Sequence, residues 1–351
     1  ARWCERSGNL VKFPSYSILM QMMNTPHNIF DAGDIYLKIY IGGMVFLFCY
    51  NVATGIFTAL GDSKTPLYFL IGSSVGNVAL DYLFVAVFHF GVSGVGWATF
   101  LAQGIAGILA VITLLRRVAK LPTGHGKVML YSKSMLRRIA KIAVPSILQQ
   151  SFVSVGNIFI QSLVNSFGSA VIAGYSAAIK LNTFTITSFS TLGNALSSFS
   201  AQNIGAAKID RVRKGFRAGT MLAWIIAVPF FVLFFFFGNE MLRIFMENPT
   251  GGAMKAGMAF LKIVSPFYFI ISLKLLADGL LRGSSAMIGF MVSTFTDLIL
   301  RVILAYVFAG LFGSTGIWMS WPVGWSISAI ISLLFYRYTW KQLSVERRLL
   351  K

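Results

Sequence analysis

Lys274, Asp278 and Arg282 follow one another at i,i+4 spacing inside an otherwise apolar stretch, so in a helix they share one face. An acid between two bases offers two chemistries. Asp278 can act as a cation or proton site, or it can be the internal counter-ion of Lys274 or Arg282. Asp297 and Arg301 repeat the spacing and read most simply as a structural ion pair facing a helix bundle. Asp81, preceded by Asn77, has no base on its own helix face. It must be protonated, hydrated or paired across helices, and it is the best remaining acid of the first half. Gln150, Asn157 and Gln161 recur on one helix face. Such amides either line a cavity and meet a ligand, or bond between helices for under about 2 kcal/mol each. Tyr175 and Lys180 follow on the next helix; Lys180 is a gate or ion-pair partner, or an ammonium that snorkels to an interface.

Enzyme chemistry is not legible. His27, His89 and His125 lack metal-ligand spacing, and no nucleophile motif appears. Cys4 and Cys49 give neither a metal pair nor a convincing disulfide. No catalytic residue, no metal site and no cofactor is expected.

The elements that must carry these polar residues are hydrophobic. Apolar types make up 56% of the 351 residues and charged types 12%, with a mean hydropathy of +0.73. Soluble domains carry about 25% charged residues. The apolar runs are continuous, as in Gly219 to Gly238, whereas a β-barrel strand alternates over roughly ten residues. The fold class is therefore all-α: a polytopic membrane helix bundle. The four rings Phe234 to Phe237 point all around a helix, so most face lipid and are structural.

A helix needs about 20 apolar residues to span a bilayer. On that measure roughly nine spans are expected, at 35–60, 66–89, 94–116, 139–166, 169–204, 218–238, 257–281, 285–309 and 316–337. The net charge of +19 invites a nucleic-acid reading, but the bases cluster at alternate loops. Arg116 to Lys141 is rich in them, as are Lys208 to Arg217 and the tail from Arg337 to Lys351, while Asn24 to Ile35 and Asn165 to Ser169 hold none. This is the positive-inside pattern. It puts the C-terminus in the cytoplasm, names the lipid bilayer as partner, and leaves no role for nucleic acid.

The chain also repeats itself, a sign of architecture. The stretch "YLKIYIGGMVFLF" from Tyr36 matches "FLKIVSPFYFIIS" from Phe260. "NVALDYLFVAVFHFGVSGVGWA" from Asn77 parallels "DLILRVILAYVFAGLFGSTGIW" from Asp297. Each copy is three helices closing one lobe. The second copy is preceded by three further helices over 139–238, the first only by the stub Tyr16 to Met23.

"FTALGDSKTP", "GNVALDYLF", "AVPSILQQ", "NSFGSAVIAGYSAAIK", "AQNIGAAKIDRVRKG" and "LLRGSSAMIGF", in this order and spacing, resemble the multidrug and toxic compound extrusion (MATE) family. The resemblance implies a two-lobed, twelve-helix antiporter that drives organic cations out against Na+ or H+, a monomer in a bacterial inner membrane. Against that pattern the chain reads as N-terminally truncated: a non-family leader (1–15), a partial N-lobe with the tail of helix 3 and helices 4–6 (16–118), a cytoplasmic basic linker (119–138), a C-lobe of helices 7–12 (139–340) and a cytoplasmic tail (341–351). So truncated, it is expected to be inactive by itself. Two family acids have no counterpart: the first helix, which carries an aspartate in part of the family, is absent, and Pro145 to Phe167 contains no acid. The coupling ion stays open between Na+ and H+. A lipid-linked sugar flippase of the same superfamily is the alternative function.

Overall fold

The computed structural model describes residues 27–120, 131–246 and 250–349. The leader, the helix stub, Cys4, His125 and the middle of the basic linker lie outside the described residues. All regular structure among the described residues is helical. Two compact units divide the chain, residues 1–128 and 129–351.

The first unit contains α1 (His27–Ala59), α2 (Lys64–Asp81) and α3 (Gly91–Val118). A π-helical turn, Tyr82–Val87, extends α2 directly after Asp81. The loop before α2 is fixed by Asp62, whose carboxylate accepts the Thr65 amide at 3.1 Å, the Thr65 hydroxyl at 2.8 Å and the Lys64 amide at 3.2 Å. These donors, Thr65 foremost, hold its carboxyl below the usual range. Helix α3 packs on both α1 and α2.

The second unit contains α4 (Lys133–Asn165), α5 (Ser169–Gly205), α6 (Ile209–Phe236), the short α7 (Gly238–Arg243), α8 (Gly251–Val264), α9 (Tyr268–Gly283), α10 (Met287–Phe312) and α11 (Ser314–Leu349). The 3₁₀ turn Ser265–Phe267 joins α8 to α9 around Pro266. Ser132 and Thr250 cap α4 and α8 by accepting the amides of Met135 and Ala253. In this unit, too, the last helix of the repeat, α11, packs on both α9 and α10.

Eight helices among the described residues are long and apolar enough to cross a membrane, with α8 and α9 counted as one span. Of the nine expected spans, α5 is the one that falls short on composition. At 37 residues it is long enough, but Ser, Thr and Asn dilute it. Several helices also outrun the apolar limits. Helix α6 begins at Ile209 and α11 continues to Leu349, because backbone hydrogen bonding continues into the basic segments beyond the lipid boundary.

Large exposed side chains such as Phe236, Met221, Ile288 and Leu311 face outward, the disposition a bilayer demands. Phe234 is the buried ring of its run, at 3% exposure. The core of the second unit is aromatic. Tyr175 stacks on Trp318 with centroids 5.1 Å apart, and Phe260 meets Trp318 and Trp321 edge-on at 5.4 and 5.6 Å.

Backbones approach closely where α5 crosses α9. A Cβ on Gly279 would lie 2.1 Å from the Gly193 carbonyl oxygen, so only hydrogen fits there. Gly279→Val is expected to destabilise the protein by at least about 1–3 kcal/mol through overpacking, read as a lowered Tm of the detergent-solubilised chain. An unchanged Tm would mean that the helices do not cross here.

Candidate functional site

The charges inside the second unit converge on α9, α10 and α11. Lys274 Nζ lies 2.9 Å from Asp278 Oδ2, both residues under 5% exposed. The other carboxylate oxygen of Asp278 accepts the Ser332 hydroxyl at 2.6 Å. Ser332 in turn meets Ser293, whose single hydroxyl hydrogen serves either the Ser332 oxygen or the Ser328 carbonyl at 3.1 Å. One polar chain thus runs Lys274–Asp278–Ser332–Ser293–Ser328 and ties three helices together. Of the two counter-ion choices open to Asp278, the structure makes the one with Lys274.

Arg282 goes elsewhere, so its reading as a structural ion-pair member is corrected. Its Nη2 donates to Asn194 Oδ1 at 2.8 Å, and its guanidinium lies 5.3 Å from the Phe290 ring centroid. At the end of its helix it reaches a neutral acceptor on α5. Asn194 therefore accepts from a guanidinium.

The expected ion pair between Asp297 and Arg301 is also corrected: among the described residues these two side chains do not pair. The Arg301 guanidinium stacks over Trp321, 4.7 Å from the ring centroid, an arrangement worth about 2 kcal/mol when desolvated. Asp297 Oδ1 lies against Gly324 of α11, where a Cβ would come within 2.9 Å of it. Lys274 feels the charges of both Asp297 and Arg301. Helical spacing put Asp297 and Arg301 on one face, but only the neighbouring helix determines which way each long side chain turns.

These groups open on a cavity of about 490 Å³, within the usual range for small-molecule sites. Helix α4 lines it with Gln149, Gln150, Asn157 and Gln161, and α5 with Tyr175, Asn182 and Thr187. Helices α9 and α10 contribute Lys274, Thr294, Asp297 and Arg301, and α11 contributes Trp321 and Trp325. Gln161 donates to Asn165 at 2.8 Å, and Asn182 accepts the Tyr268 hydroxyl at 3.2 Å. Asp278 lies behind Lys274 and does not line the wall. Trp321, Trp325, Asn182 and Thr294 are lining residues that sequence reasoning did not pick out. Neutral residues of this kind carry no motif, although the spacing of Trp318, Trp321 and Trp325 marks one helix face.

The remaining candidates lie apart. Lys180 is exposed, its Nζ 5.8 Å from the Phe245 ring centroid. It borders a different cavity of about 750 Å³, with Ser176, Phe245 and Thr250. Asp81 belongs to the first unit, where its Oδ1 and the Nδ2 of Asn77 are buried without partners among the described residues. Asn77 lines a small cavity of about 220 Å³ with Ser73, Ser74 and Gln103.

Removing one partner of a buried pair leaves an uncompensated charge, which costs about 3–5 kcal/mol. Lys274→Met is therefore expected to lower the Tm sharply, and adding Asp278→Asn to recover much of the loss. A double variant no more stable than K274M would show that the pair is not coupled.

Comparison with known proteins agrees with this architecture. The MatE family profile matches residues 10–83 and 145–307, beginning within the segment read as a leader. The chain is 31% identical over 333 residues to the probable multidrug resistance protein YpnP of Bacillus subtilis strain 168, covering 93% of this chain and 73% of that protein. It is 27% identical to the probable multidrug resistance protein YoeA of the same strain, with 94% and 73% covered. Two solved structures share the fold at TM-score 0.85 and 19% identity. One is a MATE crystal structure in the bent conformation, with 95% of this chain and 75% of that chain covered. The other is the outward-facing conformation of a multidrug resistance MATE family transporter of the MOP superfamily, with 94% and 74% covered. An aromatic, charge-bearing cavity inside a bundle of apolar helices, together with these matches, places the chain in the MatE family of multi-pass membrane transporters, and not among enzymes.

Proposed function

We propose that the protein exports small organic compounds, organic cations among them, by ion-coupled antiport with alternating access of two lobes. The observation that carries this reading is the cavity of the second unit. Charges inside a bilayer cost at least about 2.5–3.5 kcal/mol each on insertion scales, and such residues mark substrate and ion pathways. Here Lys274, Asp297 and Arg301 share one cavity with a wall of amides and tryptophans. The relatives' names speak of multidrug resistance, whereas no observation favours the lipid-linked sugar flippase.

In this reading Gln150, Asn157, Gln161 and Tyr175 line the substrate pathway. Asp297 is the cavity acid that a cation meets, and Asp278 is the counter-ion of Lys274 behind it. Asp81 is the acid available to the first unit, and Lys180 stands at a separate cavity as a gate. The coupling ion is Na+ or H+, with no other cofactor. The protein works as a monomer in a bacterial inner membrane with its C-terminus in the cytoplasm, as the basic loops direct.

The test is uptake of ethidium into inverted vesicles containing the full-length gene product. Accumulation is expected only under an imposed Na+ or proton gradient, and Asp297→Asn is expected to slow it about ten-fold. Accumulation that ignores both gradients would reject antiport, and an unaltered rate in D297N would remove Asp297 from the pathway.

A further inference from the structure

The groove between α6 and α9 changes character along its length. It encloses about 600 Å³, and its wall runs from Arg217 through Met221, Trp224 and Val228 of α6, with Phe269 and Leu273 of α9 opposite. Met221, Trp224 and Val228 are 67%, 45% and 48% exposed, so nothing among the described residues covers this apolar face. The indole Nε1 of Trp224 donates to the Phe269 carbonyl at 3.3 Å. Its polar atom is thus answered within the protein, and the groove keeps an apolar wall.

Charge is confined to the head of the groove. Arg213 and Arg217 stand at i,i+4 on α6 and share a face. Both act on the hydroxyl of Tyr336, whose ring stacks on Phe216 at 4.6 Å, so both belong to one rim. Both arginines are exposed, and among the described residues no carboxylate pairs with either. The segment Lys208 to Arg217 sets a single acid, Asp210, against Lys208, Arg211, Arg213, Lys214 and Arg217, so the rim is strongly positive.

Charge and length together select the occupant. Arginine binds phosphate through charge and a planar fork of donors, and basic pockets between spanning helices hold anionic lipid headgroups. From Arg217 to Val228 the helix rises about 16 Å at roughly 1.5 Å per residue. One leaflet's share of a hydrocarbon core about 30 Å thick is about 15 Å. Beyond Val228 the Phe231 ring meets Phe269 with centroids 6.1 Å apart and ends the groove. Another spanning helix would need an apolar seam through the whole core; a lipid tail needs only this half.

We propose that this groove is a site for one anionic phospholipid, with its phosphate on Arg213 and Arg217 and an acyl chain along Met221, Trp224 and Val228. The lipid comes from the leaflet on the basic side of the protein, the cytoplasmic one in the orientation proposed above. Such a site is independent of the exported compound and of the coupling ion.

Native mass spectrometry of the full chain released from detergent tests it, with dioleoyl phosphatidylglycerol or dioleoyl phosphatidylcholine added as probe. The unaltered protein is expected to retain one phosphatidylglycerol in preference to phosphatidylcholine. The double variant Arg213→Gln/Arg217→Gln is expected to lower phosphatidylglycerol retention at least about ten-fold, to the level of phosphatidylcholine. Val228→Trp, which fills the apolar length, is expected to weaken both lipids alike. Arg137→Gln/Arg138→Gln removes two bases of α4 instead and is expected to change neither. All five substituted side chains are exposed, so the variants keep the packed core. No preference for phosphatidylglycerol, or equal loss in the α4 variant, would overturn the proposal, since general positive charge would then suffice. Unchanged retention in V228W would overturn it as well, and so would a dimer that V228W disperses, because a second copy would then fill the groove.

Discussion

The pair formed by Lys274 and Asp278 shows how a lipid-facing bundle tolerates charge. Both residues are almost fully buried, and neither can stay ionised alone in hydrocarbon. Each therefore requires the other at 2.9 Å, and Asp278 requires Ser332 for its remaining oxygen. Because Ser332 lies on α11 and meets Ser293 on α10, satisfying one charge fixes the mutual position of three helices. Without side-chain pairing of this kind, lipid tails would give apolar helices little reason to choose one arrangement over another.

Close packing and the cavity follow from that arrangement. Gly279 and Gly193 let α9 and α5 meet backbone to backbone, while the rings of Tyr175, Phe260, Trp318 and Trp321 fill the wider gaps. The cavity is left where α4 carries amides in place of aliphatic side chains. There Gln150 and Asn157 line the same cavity as Asp297 and Arg301, while Phe152 and Gly156 of α4 pack on Phe295 and Leu298 of α10. The same repeat unit occurs in the first unit, where Asn77 corresponds to Asp297 in sequence and also lines a cavity of its own unit. Asp81 corresponds to Arg301, so the two copies carry opposite charge at matching positions. A shared backbone thus presents different polar chemistry in each unit.

Long apolar runs made the helices legible in the sequence, because hydrocarbon permits little else. Basic clusters ordered the loops, and the match from Tyr36 to Phe260 revealed the repeat. The α5 segment was legible as a helix by its length although its Ser, Thr and Asn content thins its hydropathy. Gln150, Asn157 and Gln161 are legible as candidates for a cavity wall or interhelical bonding because polar residues at helical spacing stand out against an apolar background.

What the sequence determined by itself was thus the membrane class, the succession of helices and the short set of polar residues that had to be explained. Only the tertiary structure decided their partners. Helical spacing offered Asp278 two counter-ions and gave Arg301 an acid one turn away, yet Lys274 took the first and Trp321 took the second. The physical reason is reach. A lysine or arginine head stands several ångströms from its backbone, so its partner is set by whatever the neighbouring helix presents there, and no spacing along one helix contains that information.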